Sequence, residues 1–258
     1  MSGKFQANDL ALIIDNKGRR YMFSLLVEGE FHCHSGILYH DEIIGSDHGS
    51  EFKTTKGVAF RALKPTLSDY VVKMPRGAQV IYPKDHGTII TFADIFPGAR
   101  VLESGVGSGA LSISLLRAIG PQGYLVGYDI REDFAEKAKR NVHKFMGEDL
   151  PWRVDVRDIY EGIDETDLDR IVLDLPEPWR VIDHAEKALV PGGMIITYSP
   201  SITQAVQTRE KIEESNFGMA STFETLLRGW HIEGQAVRPD HRMVAHTGFL
   251  TVARLLTS

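Results

Sequence analysis

The stretch most suggestive of chemistry is Val101–Leu111, VLESGVGSGAL, in which an apolar run ends at Glu103 and glycines follow at positions 105, 107 and 109. Glycine costs about 1 kcal/mol relative to alanine inside a helix or strand, so this spacing indicates a backbone that turns tightly and approaches a ligand closely. Between a parallel strand and a helix, such a turn gathers backbone N–H groups and the positive end of the helix dipole. The stretch therefore predicts a site for a nucleotide or a nucleoside.

Acidic residues at the ends of three predicted strands narrow the choice of ligand. The GxGxxA spacing from position 105, with Asp129 about 20 residues further on, satisfies a dinucleotide fingerprint, so a nicotinamide oxidoreductase is one interpretation. Glu103, however, would repel a pyrophosphate and attract a cationic amino acid such as that of S-adenosylmethionine. Asp129 can accept from ribose hydroxyls and Asp158 from an adenine amine. The plainer alternative is that these acids only cap strand ends.

The elements that must position these residues alternate between strands and helices. Strands are predicted at 100–102, 124–129, 152–156, 170–173 and 194–198, and helices at 111–119, 131–145, 181–189 and 202–215. This alternation predicts βαβ units around a parallel sheet, in which the carboxyl ends of the strands share one edge. Two further strands are predicted, one near 223–231 and one at 249–255.

The first 70 residues have a different pattern, with short β-branched and aromatic runs separated by frequent glycines, which predicts a small β domain. We therefore expect an α/β protein with an N-terminal β domain at 1–70 and a catalytic domain at 71–258. Cys33 is the only cysteine, and the amino-terminal residues lack the apolar stretch of a signal peptide, so a cytoplasmic protein is expected, with no membrane segment. The net charge of −6 leaves a nucleic-acid partner open, because phosphate contacts act locally.

Several motifs together carry a family resemblance. The segment 103–109, Tyr128–Asp129, Val156–Asp158 and the LVPGG run at 189–193 resemble the motifs of class I S-adenosylmethionine-dependent methyltransferases, which have a Rossmann-like fold. More specifically, MPRGAQVIYPKD at 74–85, LDLPEPW at 173–179 and HTGFL at 246–250 resemble the tRNA (adenine-58, N1) methyltransferase family in its prokaryotic homo-oligomeric form. The match covers nearly the whole chain.

This resemblance implies an enzyme that transfers a methyl group from S-adenosylmethionine to N1 of adenine 58 in the T-loop of tRNA. Asp174, held by the prolines that follow it, is the expected catalytic carboxylate, and Tyr82 and Tyr198 are expected to stack on the extruded base. The partners implied are tRNA and further copies of the chain, as a homotetramer; neither a membrane nor DNA is expected. The residues expected to bind the methyl donor are Glu103, Ser104, Gly105, Val106, Gly107, Ser108, Gly109, Asp129, Arg131, Asp158 and Asp174.

Other interpretations stay open at this point. The donor site could serve a small-molecule acceptor, or the chain could be a non-catalytic tRNA-binding subunit, although the latter would be expected to have lost the glycines or Asp174. The pair His32 and His34 has no third ligand at a defined spacing, so no metal is expected. His246 could face the base or a subunit contact. Candidate phosphate contacts are Lys73, Arg76, Lys84, Arg238 and Arg242.

Overall fold

The computed structural model describes residues 3–77 and 79–257, and the chain divides into two compact units, Met1–Lys73 and Met74–Ser258. None of the helices within the described residues combines the length and the apolar composition that crossing a bilayer requires. Over the same residues, no three His, Cys, Asp or Glu side chains are grouped so that they could hold a metal ion. His32 instead pairs with the carboxylate of Glu30, at 2.7 Å.

The first unit is predominantly β structure, as its turn-rich sequence predicted. A four-stranded antiparallel sheet has the order β2-β1-β6-β5, and β3 and β4 form a separate hairpin. Phe5, Ile13, Leu25 and Phe60 are buried in its core. The elements are β1 (Leu10–Asp15), β2 (Arg20–Ser24), β3 (Glu30–Cys33), β4 (Gly36–Tyr39), α1 (His40–Ile43), β5 (Glu51–Lys53), β6 (Ala59–Leu63) and α2 (Leu67–Lys73).

The second unit has the predicted alternation of strands and helices. Its helices are α3 (Pro83–Phe92), α4 (Ala110–Ile119), α5 (Glu132–Met146), α6 (Ile182–Ala188) and α7 (Ile202–Glu213). Its strands are β7 (Arg100–Ser104), β8 (Tyr124–Asp129), β9 (Trp152–Val156), β10 (Leu168–Asp174), β11 (Leu189–Ser199), β12 (Phe217–Phe223), β13 (Trp230–Glu233), β14 (Ala236–Pro239) and β15 (Phe249–Leu255).

Seven of these strands form one mixed sheet in the order β12-β15-β11-β10-β7-β8-β9. The pairs from β11 to β9 are parallel, whereas β15 runs antiparallel to both of its neighbours. Buried Leu102, Val126, Ile171 and Ile195 come from four adjacent strands and pack in one core. The strand order reverses between β7 and β10, and in open α/β sheets a ligand binds at the carboxyl edge beside such a reversal.

The structure corrects the sequence interpretation after β12 and before β7. The strand expected near 223–231 does not exist: β12 ends at Phe223, and a separate hairpin of β13 and β14 follows. Its Trp230 and Ile232 are exposed, so their apolar character does not report burial in the sheet. The helix α3 was not predicted, and it begins with Pro83 at its first position, where a missing N–H has no cost.

Candidate active site

Glycine is required for different structural reasons at the three positions after β7. All have positive φ, at 85°, 55° and 80° for Gly105, Gly107 and Gly109. A Cβ on Gly105 would lie 2.1 Å from the carbonyl oxygen of Asp174, and one on Gly109 would lie 2.9 Å from Val142 of α5. A Cβ on Gly107, however, would lie 3.9 Å from the carbonyl oxygen of Gly105, which is ordinary van der Waals contact. Two glycines therefore allow close packing, whereas the middle one borders space that a ligand could fill.

Asp129 at the end of β8 holds this glycine loop in place. Its Oδ2 accepts the N–H of Gly107 at 2.8 Å, and its Oδ1 accepts the N–H of Arg131 at 2.9 Å. A carboxylate offers about four acceptor positions, so two remain for ribose hydroxyls. The guanidinium of Arg131 pairs with Asp133, at 2.7 Å, and lies over the ring of Phe134. Arg131 thus contributes its backbone to the loop, while its side chain is engaged at the surface.

Glu103 lies below the loop and is almost fully buried, with 2% of its surface exposed. Burial raises the pKa of this carboxyl to about 8; the hydrogen bond from Ser112 Oγ, at 2.6 Å, opposes that rise, and the nearby charges of Asp174 and Asp129 add to it. Glu103, Asp129 and Asp174 therefore lie near one another, and their mutual repulsion disfavours ionisation. A cationic ligand would favour the ionised carboxylates, whereas a pyrophosphate would disfavour them further.

The other residues expected at the donor site have mixed surroundings. Asp158 caps the 3-10 turn Ile159–Glu161, where its Oδ1 accepts the N–H of Tyr160 at 2.9 Å. The side chain of Val106 packs against Ala138 of α5. Ser104 and Ser108 are buried, and the Ser108 hydroxyl has no hydrogen-bond partner among the described residues. That buried hydroxyl and the space beside Gly107 fit a nucleoside ligand with polar groups.

Asp174 ends β10 at the same edge. The side chain is half-buried, and burial raises its pKa to about 7. In the parallel register between β10 and β11, Asp174 is opposite Tyr198. Residues 175–177 form a short irregular segment that leads into the 3-10 segment Pro178–Val181. Glu177, just before Pro178, forms an ion pair with Arg180 at 2.8 Å.

Of the two tyrosines expected to contact the acceptor, Tyr198 lies beside Asp174, and Tyr82 lies near Tyr198. Burial, together with the neighbouring Asp85, Asp174 and Tyr82, raises the pKa of the Tyr198 phenol to about 12. The Tyr198 hydroxyl donates to the Thr247 carbonyl at 2.6 Å. A Cβ on Gly248 would lie 2.4 Å from the ring, so one face of the ring is covered by backbone. Stacking of a base on Tyr82 or Tyr198 remains a prediction.

The expectation that Lys84 contacts phosphate was wrong. Its side chain is 3% exposed, and its ammonium group is bonded to Asp85 Oδ1, the Thr225 carbonyl and Thr247 Oγ1, at 2.8, 2.6 and 2.6 Å. Lys73 donates to a carbonyl of the first unit, at 2.9 Å, and remains exposed. Arg76, Arg238 and Arg242 are exposed, and their contact with phosphate remains a prediction.

Some contacts that connect distant segments could not be recognised from the sequence. Asn141 of α5 donates to the carbonyls of Ser108 and Pro75, at 2.9 and 2.8 Å, and so joins the glycine loop to the segment that leads to Tyr82. His246 bonds Glu224 at 2.9 Å and the Pro200 carbonyl at 3.1 Å, and the Glu224 contact raises its pKa. Since these partners lie 22 to 66 positions away in sequence, no local pattern could have indicated them.

The sheet order, the glycine loop after β7 and the acids at the carboxyl edge define a class I methyltransferase. Solved structures agree. A protein of Thermotoga maritima described as an S-adenosylmethionine-dependent O-methyltransferase has a TM-score of 0.94 and 33% identity, covering 100% of this chain and 96% of that one. The tRNA (m1A58) methyltransferase TrmI of Aquifex aeolicus has a TM-score of 0.86 and 27% identity, covering 99% and 100%.

The family follows from the sequence comparisons. Residues 60–238 match the family model described as the tRNA methyltransferase complex GCD14 subunit, and residues 3–52 match the TrmI-like N-terminal family. The chain is 38% identical to a tRNA (adenine(57)-N(1)/adenine(58)-N(1))-methyltransferase TrmI of Methanocaldococcus jannaschii, over 95% of this chain and 94% of that protein. It is 34% identical to a tRNA (adenine(58)-N(1))-methyltransferase TrmI of Thermus thermophilus, over 94% and 95%. The chain belongs to this tRNA methyltransferase family.

Proposed function

We propose that this protein transfers a methyl group from S-adenosylmethionine to N1 of adenine 58 in the T-loop of tRNA. The observation that carries the proposal is the convergence of Asp174, Tyr82 and Tyr198 at a sheet edge shared with the donor-side acids, in a chain of this family. A non-catalytic tRNA-binding subunit would not need this arrangement. The names of the TrmI relatives support the same substrate.

On the donor side, the role of the chain is to bind and orient. S-adenosylmethionine, when bound, supplies an electrophilic methyl group on a positively charged sulfur. Glu103 would neutralise the cationic amino acid end, Asp129 would accept from the ribose hydroxyls, and Asp158 would accept from the adenine amine. Asp129 and Asn141 hold the glycine loop by hydrogen bonds, and the loop would in turn hold the donor in a fixed orientation along the sheet edge.

On the acceptor side, N1 of adenine already has an in-plane lone pair, so no base is needed to create the nucleophile. The main demand is to hold N1 about 3 to 3.5 Å from the methyl carbon and in line with the bond that breaks. The product base is cationic, with its charge shared between N1 and N6. Asp174, as a carboxylate near N6, would stabilise this charge as it develops. Tyr82 and Tyr198 would hold the extruded base in position.

A second candidate deserves a test because one similar structure is described as an O-methyltransferase. A hydroxyl acceptor must lose a proton during attack, and Asp174, whose pKa is raised to about 7, has the protonation range of a general base. The two functions differ in the acceptor and not in the donor site. Binding of S-adenosylmethionine alone therefore does not separate them.

The partners proposed are tRNA and other copies of the chain, as a cytoplasmic homotetramer. The hairpin of β13 and β14 supports self-association, because Trp230, Ile232 and Val237 are more than half exposed on it. Light scattering after gel filtration would measure the mass in solution. A monomer at micromolar concentration would contradict the proposed assembly.

The deciding experiment uses labelled S-adenosylmethionine, the purified protein and an unmodified tRNA transcript, followed by mapping of the methylated nucleotide. We expect one N1-methyl group at adenine 58, and no incorporation there when that base is replaced by guanine. A digest that also resolves position 57 would detect methylation of the neighbouring base. Failure to label the transcript, together with labelling of a small hydroxyl compound, would support the O-methyltransferase alternative.

A further inference from the structure

A buried ion pair adjoins the proposed acceptor site and has no role in the mechanism above. Lys84 and Asp85, in the first turn of α3, have side chains that are 3% and 0% exposed. Burying two charges is costly unless their geometry is good and their remaining hydrogen-bonding groups are satisfied. The mechanism uses neither charge. We therefore consider which segments of the chain the ion pair joins.

The pair is satisfied by residues from a distant part of the chain. The Lys84 ammonium donates to Asp85 Oδ1, to the Thr225 carbonyl and to Thr247 Oγ1. The Thr247 hydroxyl in turn donates to Asp85 Oδ2 at 2.7 Å. Three donors and both carboxylate oxygens are thereby used. We refer to Lys84, Asp85, Thr225 and Thr247 as the Lys84 junction.

The junction closes a long excursion of the chain. Thr225 and Thr247 bracket residues 226–246, which leave the sheet after β12, form the β13–β14 hairpin and return to β15. The hydroxyls of Thr88 and Thr225 are also in contact, at 3.1 Å. The first two turns of α3 are therefore joined to both ends of the excursion.

The same groups adjoin the two tyrosines. Tyr82 precedes α3 directly, and its carbonyl accepts the N–H of Asp85 at 2.9 Å. Tyr198 donates to the carbonyl of Thr247, and Gly248 covers its ring. A displacement of the junction would therefore move Tyr82 through the helix end and Tyr198 through the Thr247–Gly248 backbone.

We propose that Lys84, Asp85 and Thr247 are positioning residues for the acceptor base, which fix the rings of Tyr82 and Tyr198 relative to Asp174 through the closed ends of the 226–246 excursion. The proposal rests on the proposed function, because it assigns the residues to the acceptor step. It predicts an effect on methyl transfer with little effect on donor binding, since the glycine loop and its acids are not part of the junction.

The most informative variant is Thr247→Val, because removing Lys84 or Asp85 would leave a buried charge unpaired and could prevent folding. Valine keeps the size of threonine but removes a hydroxyl that both accepts from Lys84 and donates to Asp85. The Thr247 carbonyl that holds Tyr198 is unchanged. Thr247→Ser restores the hydroxyl. Thr222→Val is a matched control, since it removes a hydroxyl that pairs at 2.9 Å with Thr251 between β12 and β15 and makes none of the junction's hydrogen bonds.

We expect Thr247→Val to lower the single-turnover methylation rate at saturating tRNA by about tenfold to a hundredfold, as a misplaced acceptor does. The dissociation constant for S-adenosylmethionine should remain within about twofold of wild type, as should the rate of Thr222→Val. Thr247→Ser should recover most of the rate. An unchanged rate in Thr247→Val, or an equal loss in Thr222→Val, would overturn the proposal.

A second readout separates this inference from the proposed function. With 3-fluorotyrosine placed at position 82 or 198, we expect one narrow fluorine resonance in wild type and Thr247→Ser, and broadened or multiple resonances in Thr247→Val. Identical spectra in all three proteins would overturn the positioning role. A wild-type protein that methylated no tRNA would refute the proposed function, and the spectra would still decide whether the junction orders the two rings.

Discussion

The donor side and the acceptor side of the candidate site are built in different ways. The donor side consists of short segments that follow β7, β8 and β9, and Asp129 bonds a loop only 22 residues away. The acceptor side joins α3 to residues 141 and 163 positions distant, at Thr225 and Thr247. The donor side is thus formed by residues that are near one another in the sequence. The acceptor side is formed by residues from distant parts of the domain.

The two sides also manage buried charge differently. On the donor side, burial raises the pKa of Glu103, and the neighbouring carboxylates of Asp174 and Asp129 add to that rise. On the acceptor side, the charge of Asp85 is balanced by Lys84 at 2.8 Å. The donor side therefore favours a cationic ligand, whereas the buried charges on the acceptor side are paired within the protein itself.

The largest effect is expected from Asp174→Asn, which keeps the shape and removes the charge. Loss of a group that stabilises the developing charge should lower turnover by about a hundredfold to a thousandfold. S-adenosylmethionine should still bind within about threefold of wild type, measured by calorimetry, if Asp174 acts mainly on the acceptor side. A near-normal single-turnover rate would remove Asp174 from the mechanism.

The next effect concerns the glycine loop, with Gly105→Ala and Gly107→Ala as a matched pair. Both residues have positive φ, which costs about 1 to 2 kcal/mol for alanine. At Gly105 the added methyl would also collide with the Asp174 carbonyl, so Gly105→Ala should lower the melting temperature much more. Gly107→Ala should mainly weaken donor binding. Equal melting temperatures would contradict the packing described for Gly105.

The pH dependence of the reaction offers a third test. Asp174 acts as a carboxylate, and its pKa is raised to about 7, so the ionised fraction increases as pH rises through that value. We expect kcat/KM for tRNA to increase by about tenfold per pH unit below the midpoint and to level off above it. A bound cationic donor should shift the midpoint downward. Asp174→Asn should not show this increase in kcat/KM with pH. A wild-type kcat/KM that is constant from pH 5 to 8 would contradict the role assigned to Asp174.

A fourth test addresses the stability of the donor side through Glu103→Gln. The pKa of Glu103 rises from its ordinary value of 4.5 in the unfolded chain to about 8 in the fold. Its contribution to stability is therefore complete below about pH 4.5 and declines as pH rises toward 8, at about 1.4 kcal/mol per pH unit. Between pH 4.5 and 8, the melting temperature of Glu103→Gln should rise relative to that of wild type. The affinity of the variant for S-adenosylmethionine should be lower than that of wild type. Parallel melting profiles would refute the raised pKa.

The smallest effect is expected for Arg131→Ala. The guanidinium pairs with Asp133 at the surface, where ion pairs contribute about 0 to 1 kcal/mol, and the backbone N–H that bonds Asp129 remains. The dissociation constant for S-adenosylmethionine should change by less than about threefold. A tenfold loss of affinity would show that the side chain itself contacts the donor, as the sequence motif had suggested.

The sequence by itself determined the alternation of strands and helices, the glycine loop and the acids at the ends of β7, β8 and β10, because each depends on residues near one another in the chain. The strand 152–156 was predicted with the bounds that the structure shows. By contrast, only the tertiary structure revealed that Lys84 is buried with Asp85, that Thr225 and Thr247 satisfy it, and that Asn141 holds the glycine loop. A charged or polar side chain looks the same in sequence whether water or another part of the fold satisfies it, and only the folded chain decides which partner it has.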